Sequence, residues 1–127
     1  MGMDCIEERE VGEVTILAID RRLKGSLEWH LKERLDGLVL KGRLQIVIDL
    51  KQVPYLDSSE IGRLIRAHIS VRQAGGRVRL CNLSQKISAV LRMSKLDTML
   101  DLYETEEAAL ASIIEGEARQ SLAAREE

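Results

Sequence analysis

The stretch Ile46-Val47-Ile48-Asp49-Leu50-Lys51-Gln52-Val53-Pro54-Tyr55-Leu56-Asp57-Ser58-Ser59-Glu60-Ile61-Gly62 decides the reading of this chain. Ile46 to Leu50 is almost entirely aliphatic, the pattern of a central strand covered on both faces. Pro54, the only proline, stands in a short loop after it. Asp57-Ser58-Ser59-Glu60 then opens a helix. The first amide groups of a helix lack partners and carry partial positive charge, so they favour anionic groups. Asp57 at the cap and Glu60 three positions on have the spacing of a capping box. The same start admits a second reading. A serine there can take a phosphoryl group of about −1.5 to −2 charge at the positive end of the helix. The helix survives, the surface changes sign, and such a site can act as a switch without catalysis by the protein itself. The spacing alone supports the structural reading first and leaves the regulatory one open.

Downstream, Ile61, Leu64, Ile65, Ile69 and Val71 lay out an apolar helical stripe that ends at Gly75-Gly76. Arg77 to Cys81 alternates at period two, as a strand does. Ser84 is placed to cap a helix with Ile87, Val90 and Leu91 on one side. Met99 to Tyr103 is a candidate last strand. Thr105-Glu106-Glu107 begins a final helix carrying Leu110, Ile113 and Ile114, with acids in its first turn.

Upstream, Val14 to Ile19 is a strand candidate, and Cys5 to Arg9 can pair with it across the turn at Val11-Gly12-Glu13. The charges in that first segment mark a protected edge. Ser26 then caps a helix with Leu27, Leu31, Leu35 and Leu38 in period, closing near Lys41-Gly42. The resulting order, β-β-α-β-α-β-α-(β)-α, predicts an α/β fold: one domain with a mixed sheet of four or five strands packed with about four helices. The domain is expected over residues 1–114. Residues 115–127 read as a polar C-terminal extension, a tail in preference to a continued helix.

The chain has 127 residues, 45% of them hydrophobic and 31% charged, enough for one folded core. Lys plus Arg number 19 and Asp plus Glu 21, so the basic excess of a nucleic-acid binder is missing. Trp29, Tyr55 and Tyr103 are the only aromatic residues, too few for a base-stacking platform. Met1 to Glu10 has no apolar core of a secretory signal, and no apolar run reaches the about 18 residues of a membrane span. A cytoplasmic protein without direct membrane insertion is expected. Cys5 and Cys81 fit no metal or redox spacing and are read as reduced thiols, with a disulfide between them left open.

His30 and His68 have no companions at metal-ligand spacing. Ser58, His68 and Asp49 do not assemble a nucleophilic triad, because His68 lies almost three helical turns beyond Ser58. Gly75-Gly76 has no phosphate-loop pattern around it. No catalytic set, metal or cofactor is therefore expected, and an enzyme or nucleotide-binding domain ranks last. Arg63, Arg66, Arg72, Arg77 and Arg79 form a basic run read as a solvated face, with a partner-facing patch as the alternative.

The sequence resembles the STAS domain family of bacterial anti-sigma factor antagonists over roughly Val14 to Ile114. The resemblance rests on Ile46 to Leu50, Val53-Pro54-Tyr55-Leu56, Asp57-Ser58-Ser59 and Ile61-Gly62, with Ala74-Gly75-Gly76, Val90-Leu91 and Leu96 in support. It implies a protein that, unphosphorylated, sequesters an anti-sigma factor that is also a serine kinase. It further implies phosphorylation on Ser58, which ends the complex, and resetting by a metal-dependent serine phosphatase. Asp57 would shape the acceptor site and Ser59 would be structural. The implied partner-binding surface comprises Lys24, Asp57, Ser58, Ser59, Glu60, Ile61 and Gly62. Two positions depart from the family pattern: Glu60 stands where a glycine is usual, and Lys24 where an acidic residue is usual. Glu60 is expected to set bulk and like charge beside the acceptor and weaken docking. These departures motivate an alternative, a STAS scaffold subunit of a sensory complex or transporter assembly without a working phospho-switch. Association into a homodimer stays open.

Overall fold

Alternation along the strands builds two apolar layers on one sheet. The computed structural model describes the backbone of residues 6–20 and 27–126, and the side chains of residues 6–20 and 31–116. Cys5, Lys24 and Ser26 lie outside the described residues, as do the side chains of Leu27, Trp29 and His30. The strands are β1 (Ile6–Val11), β2 (Val14–Asp20), β3 (Gln45–Gln52), β4 (Arg77–Cys81) and β5 (Asp101–Tyr103); the α-helices are α1 (Leu27–Leu40), α2 (Ser58–Gln73), α3 (Gln85–Met93) and α4 (Glu106–Glu126). The sheet is five-stranded in the order β1-β2-β3-β4-β5. β1 pairs antiparallel with β2 through Ile6↔Ile19 to Val11↔Val14, and the remaining pairs are parallel. Gly12, at φ +60, makes the tight reversal between β1 and β2.

Because β2, β3, β4 and β5 follow one another across the sheet, right-handed crossovers put all their connecting helices on one face. The packing agrees. Leu17, Ile19, Ile46, Ile48, Leu50, Val78 and Leu80 meet Leu31, Leu35 and Leu38 of α1, Ile61, Leu64 and Val71 of α2, and Ile87 and Leu91 of α3. The other face, Val14, Ile16, Val47 and Cys81, is covered by Ala109 and Ile113 of α4. Strand β3 lies at the centre, and its Ile46, Val47 and Ile48 are fully buried.

Three helices stop by the same device. After α1, Gly42 at φ +76 donates to Val39 O at 3.0 Å and Arg43 N to Leu38 O at 2.9 Å. Gly75-Gly76 and Lys95-Leu96 repeat this pair of bonds after α2 and α3, each with its first residue at positive φ. Gly76 has a further duty. A Cβ there would stand 2.5 Å from Leu44 O and 2.9 Å from both Leu44 Cβ and Val71 Cγ1.

Several sequence expectations are corrected. On α2 the buried positions are Glu60, Ile61, Leu64, His68 and Val71, while Ile69 is 42% exposed. The apolar stripe is narrower than the sequence suggests, and an imidazole fills one of its places. On α3, Val90 is exposed beside buried Ile87 and Leu91; on α4, Ile114 is 65% exposed and Ala109 packs inward with Ile113. The last strand begins at Asp101, after a 3-10 turn over Asp97–Met99. The polar stretch expected as a tail is helical backbone to Glu126, consistent with its alanines, glutamates and arginines, which are strong helix formers.

The basic run does not form one solvated face. Arg77 is bidentate to Asp101, Nε to Oδ2 at 2.8 Å and Nη2 to Oδ1 at 3.1 Å. That hydrogen-bonded pair raises the arginine pKa and lowers that of the carboxyl. Arg79 is only 4% exposed and donates from Nη1 to Gln45 Oε1 at 2.9 Å. Both arginines lie on the α4 face of β4, away from Arg63 and Arg66 on α2.

Gly76→Ala is expected to destabilise the fold by about 1–3 kcal/mol through overpacking. Gly37→Ala, inside α1 where no described atom beyond its own helix backbone and chain neighbours lies within 4 Å of the new Cβ, is expected to stabilise it by about 0.5–1 kcal/mol. Urea unfolding of the two variants checks this contrast.

Candidate functional site

Strand β3 ends in the core and hands the chain to a loop that is tied down at several points. Val53 N donates to Leu50 O at 2.9 Å, and Val53 and Leu56 are both buried. Ser84, the N-cap of α3, donates its hydroxyl to Pro54 O at 2.8 Å and accepts from Ile87 N at 3.1 Å. One side chain therefore fixes the start of α3 and the loop leading into α2. Tyr55 between these anchors is 45% exposed, with Lys86 Nζ 5.9 Å above its ring.

The expected capping box is present. Asp57 has extended backbone geometry, and its Oδ1 accepts from Glu60 N at 2.8 Å. Glu60 Oε1 accepts in return from Asp57 N at 3.1 Å. Ser59 is drawn into the same network: its hydroxyl donates to Asp57 Oδ1 at 2.9 Å and accepts from Arg63 Nη1 at 3.2 Å. Ser58 differs. It is exposed at the first position of α2, and among the described residues its hydroxyl takes part in no hydrogen bond. Of the two serines, Ser59 is structurally engaged and Ser58 is left to solvent.

Glu60 does not stand as the surface obstacle that its sequence position suggests. It is buried, its carboxylate folds back onto the cap, and it lines the groove between α1 and α2 with Leu31, Leu35 and Val71. Ile61 is also buried, in the core beneath the helix start. The exposed part of the motif is thus Asp57, Ser58 and Ser59, with Gly62 half-buried one turn on.

The structure adds residues that the motif did not mark. Ser84 stabilises the loop, and Arg66 continues the helical row of Ser58 and Gly62. Asp49 accepts from Lys51 N at 2.9 Å and from Asn82 Nδ2 at 3.0 Å, closing the ends of β3 and β4. Cys81 is a free thiol in the α4-side core, where burial first and the Asp49 charge second push its pKa up to about 12. Such a thiol is a poor nucleophile at neutral pH. Among the described residues, no helix is long and apolar enough to cross a membrane.

With this geometry, the chain is a single mixed sheet presenting a capped, serine-bearing helix start at the end of its central strand. It belongs to the STAS domain family, whose model matches residues 6–109. The anti-sigma F factor antagonist of Paenibacillus polymyxa is 27% identical over 97 residues, covering 72% of this chain and 83% of that protein. The crystal structure of TM1081 from Thermotoga maritima superposes with a TM-score of 0.73 at 26% identity, over 84% of this chain and 92% of that one. The phosphorylated form of SpoIIAA from Bacillus has the same fold, with a TM-score of 0.66 at 19% identity over 85% of this chain and 98% of that one.

Asp57→Ala is expected to cost about 1 kcal/mol, the usual loss for an N-cap. Glu60→Gln keeps an acceptor oxygen for the Asp57 amide and is expected to cost less. Chemical denaturation of both variants reads the difference, and a neutral Asp57→Ala would contradict the cap.

Proposed function

We propose that the protein is an anti-sigma factor antagonist whose binding is switched by phosphorylation of Ser58. The observation that carries this reading is the contrast between neighbouring serines. Ser59 is engaged by Asp57 and Arg63, whereas the Ser58 hydroxyl is exposed at the first turn of a capped helix and has no hydrogen-bond partner among the described residues. The family and the Paenibacillus relative support the regulatory class, and the fold is one that SpoIIAA retains in a phosphorylated form.

In this reading the unphosphorylated chain binds an anti-sigma factor with serine kinase activity, through the surface around Asp57, Ser58 and Ser59. Lys24 belongs to the same proposed surface. The Ser58 oxygen attacks the γ-phosphorus of ATP held by the kinase. The bond to the β-phosphate oxygen breaks, ADP leaves, and the hydroxyl proton passes to a base of the kinase. The helix N-terminus accommodates the new charge, while a partner seated over the loop meets a doubly charged group. A serine phosphatase restores the hydroxyl by hydrolysis. The protein is substrate and ligand in this cycle, with no catalytic step of its own.

Incubation with the cognate anti-sigma serine kinase and ATP, followed by mass-spectrometric mapping, is expected to place phosphate on Ser58 and none on Ser59. Ser58→Ala is expected to hold the kinase constitutively, and Ser58→Asp to bind it at least tenfold more weakly. Absence of label beside an active control substrate, or equal binding by both variants, overturns the switch. Equal behaviour within a large stable assembly favours the scaffold reading.

A further inference from the structure

We propose that Arg66 receives the phosphate placed on Ser58, pairing with it along the exposed face of α2. This inference rests on the phosphoacceptor reading and adds a residue and an arrangement to it. Ser58, Gly62 and Arg66 are spaced by four, so they form one row on the helix surface. Helical side chains lean toward the N-terminus, which directs Arg66 back along this row toward Ser58.

The position of the guanidinium agrees. Arg66 Nη1 lies 3.8 Å from the point where a Cβ on Gly62 would stand. The arginine has therefore folded back a full turn and rests over the bare backbone of Gly62. Ser58 and Arg66 are eight positions apart, about 12 Å along the helix axis; the fold-back of the guanidinium over Gly62 leaves the step from Ser58 to Gly62, about 6 Å between Cβ positions. A phosphoryl group extending from one side and a flexible guanidinium from the other can close that gap.

Gly62 itself needs a reason. Glycine inside a helix costs about 1 kcal/mol relative to alanine. Among the described residues outside its own helix backbone and chain neighbours, that Arg66 atom alone comes within 4 Å of the place a Cβ would take. What its bareness does provide is an open path between Ser58 and Arg66.

The neighbouring groups are already committed. Arg63 donates to Ser59, Asp57 and Glu60 hold the cap, and Lys86 of α3 lies over Tyr55. Arg66 has no hydrogen-bond or ion-pair partner among the described residues, and a guanidinium binds phosphate through paired N–H donors. The phosphate would then be held in one orientation along the helix as an ordered ion pair, with its charge partly offset.

The test uses the 127-residue chain with phosphoserine installed at position 58 during translation, so no kinase is needed. The second ionisation of the phosphate is followed by phosphorus NMR in the wild type, Arg66→Gln and Arg66→Lys. Asp57, Glu60, Arg63 and Lys86 are common to all three proteins and cancel in the comparison. Loss of a cation at about 5 Å is expected to raise the phosphate pKa by about half a unit in Arg66→Gln. Arg66→Lys is expected to restore part of that difference. The Arg66 side-chain Nε–H signal is expected to shift when position 58 carries phosphate. Superimposable titrations of wild type and Arg66→Gln, with an unmoved Nε–H signal, overturn the inference while leaving Ser58 as acceptor intact. Conversely, failure of the kinase to label Ser58 would defeat the acceptor reading without altering the titration result.

Discussion

The site depends on one reciprocal interaction, the pair of hydrogen bonds between Asp57 and Glu60. A helix that begins at the end of a central strand must satisfy its leading amides, or it frays where precision is needed. Here the Asp57 side chain takes the Glu60 amide and the Glu60 side chain takes the Asp57 amide. The first turn is therefore held before any partner arrives. Ser58 lies between these two with its hydroxyl exposed and, among the described residues, outside the hydrogen bonds of the cap.

That local arrangement is anchored to the rest of the fold. Val53 and Leu56 sink into the core under the loop, and Ser84 bonds Pro54 from the start of α3. Behind the loop stands β3, buried on both faces by α1, α2 and α3 on one side and α4 on the other. A rigid platform matters for the proposed charge switch. If the loop could yield, added phosphate would be absorbed by local rearrangement, and a partner would read a smaller change.

Much of this was legible in the sequence where the controlling interactions are local. The aliphatic run of β3, the capping spacing of Asp57 and Glu60, the cap at Ser84 and the glycine-bearing helix ends all depend on residues within a few positions of one another. The misread features depend on what lies across space. Glu60 looked like an exposed charge, and it is buried because α2 turns that side of its first turn toward α1. Arg79 reads as solvated within the basic run of arginines, yet it lies on the sheet face that α4 covers and is bonded to Gln45. His68 occupies a core position that composition favours for Ile69, because helical phase, fixed by Ile61, Leu64 and Val71, decides which side chain faces inward.

The central claim is that the helix start is built so that phosphate changes the surface and leaves the scaffold unchanged. Two-dimensional amide NMR of the protein with serine or phosphoserine at position 58 tests it most directly. The account predicts that shifted amides are confined to the loop and the first two turns of α2, with the signals of β2, β3 and β4 unmoved. Shifts spread through the sheet, or loss of the Glu60 amide signal that reports the cap, would contradict it.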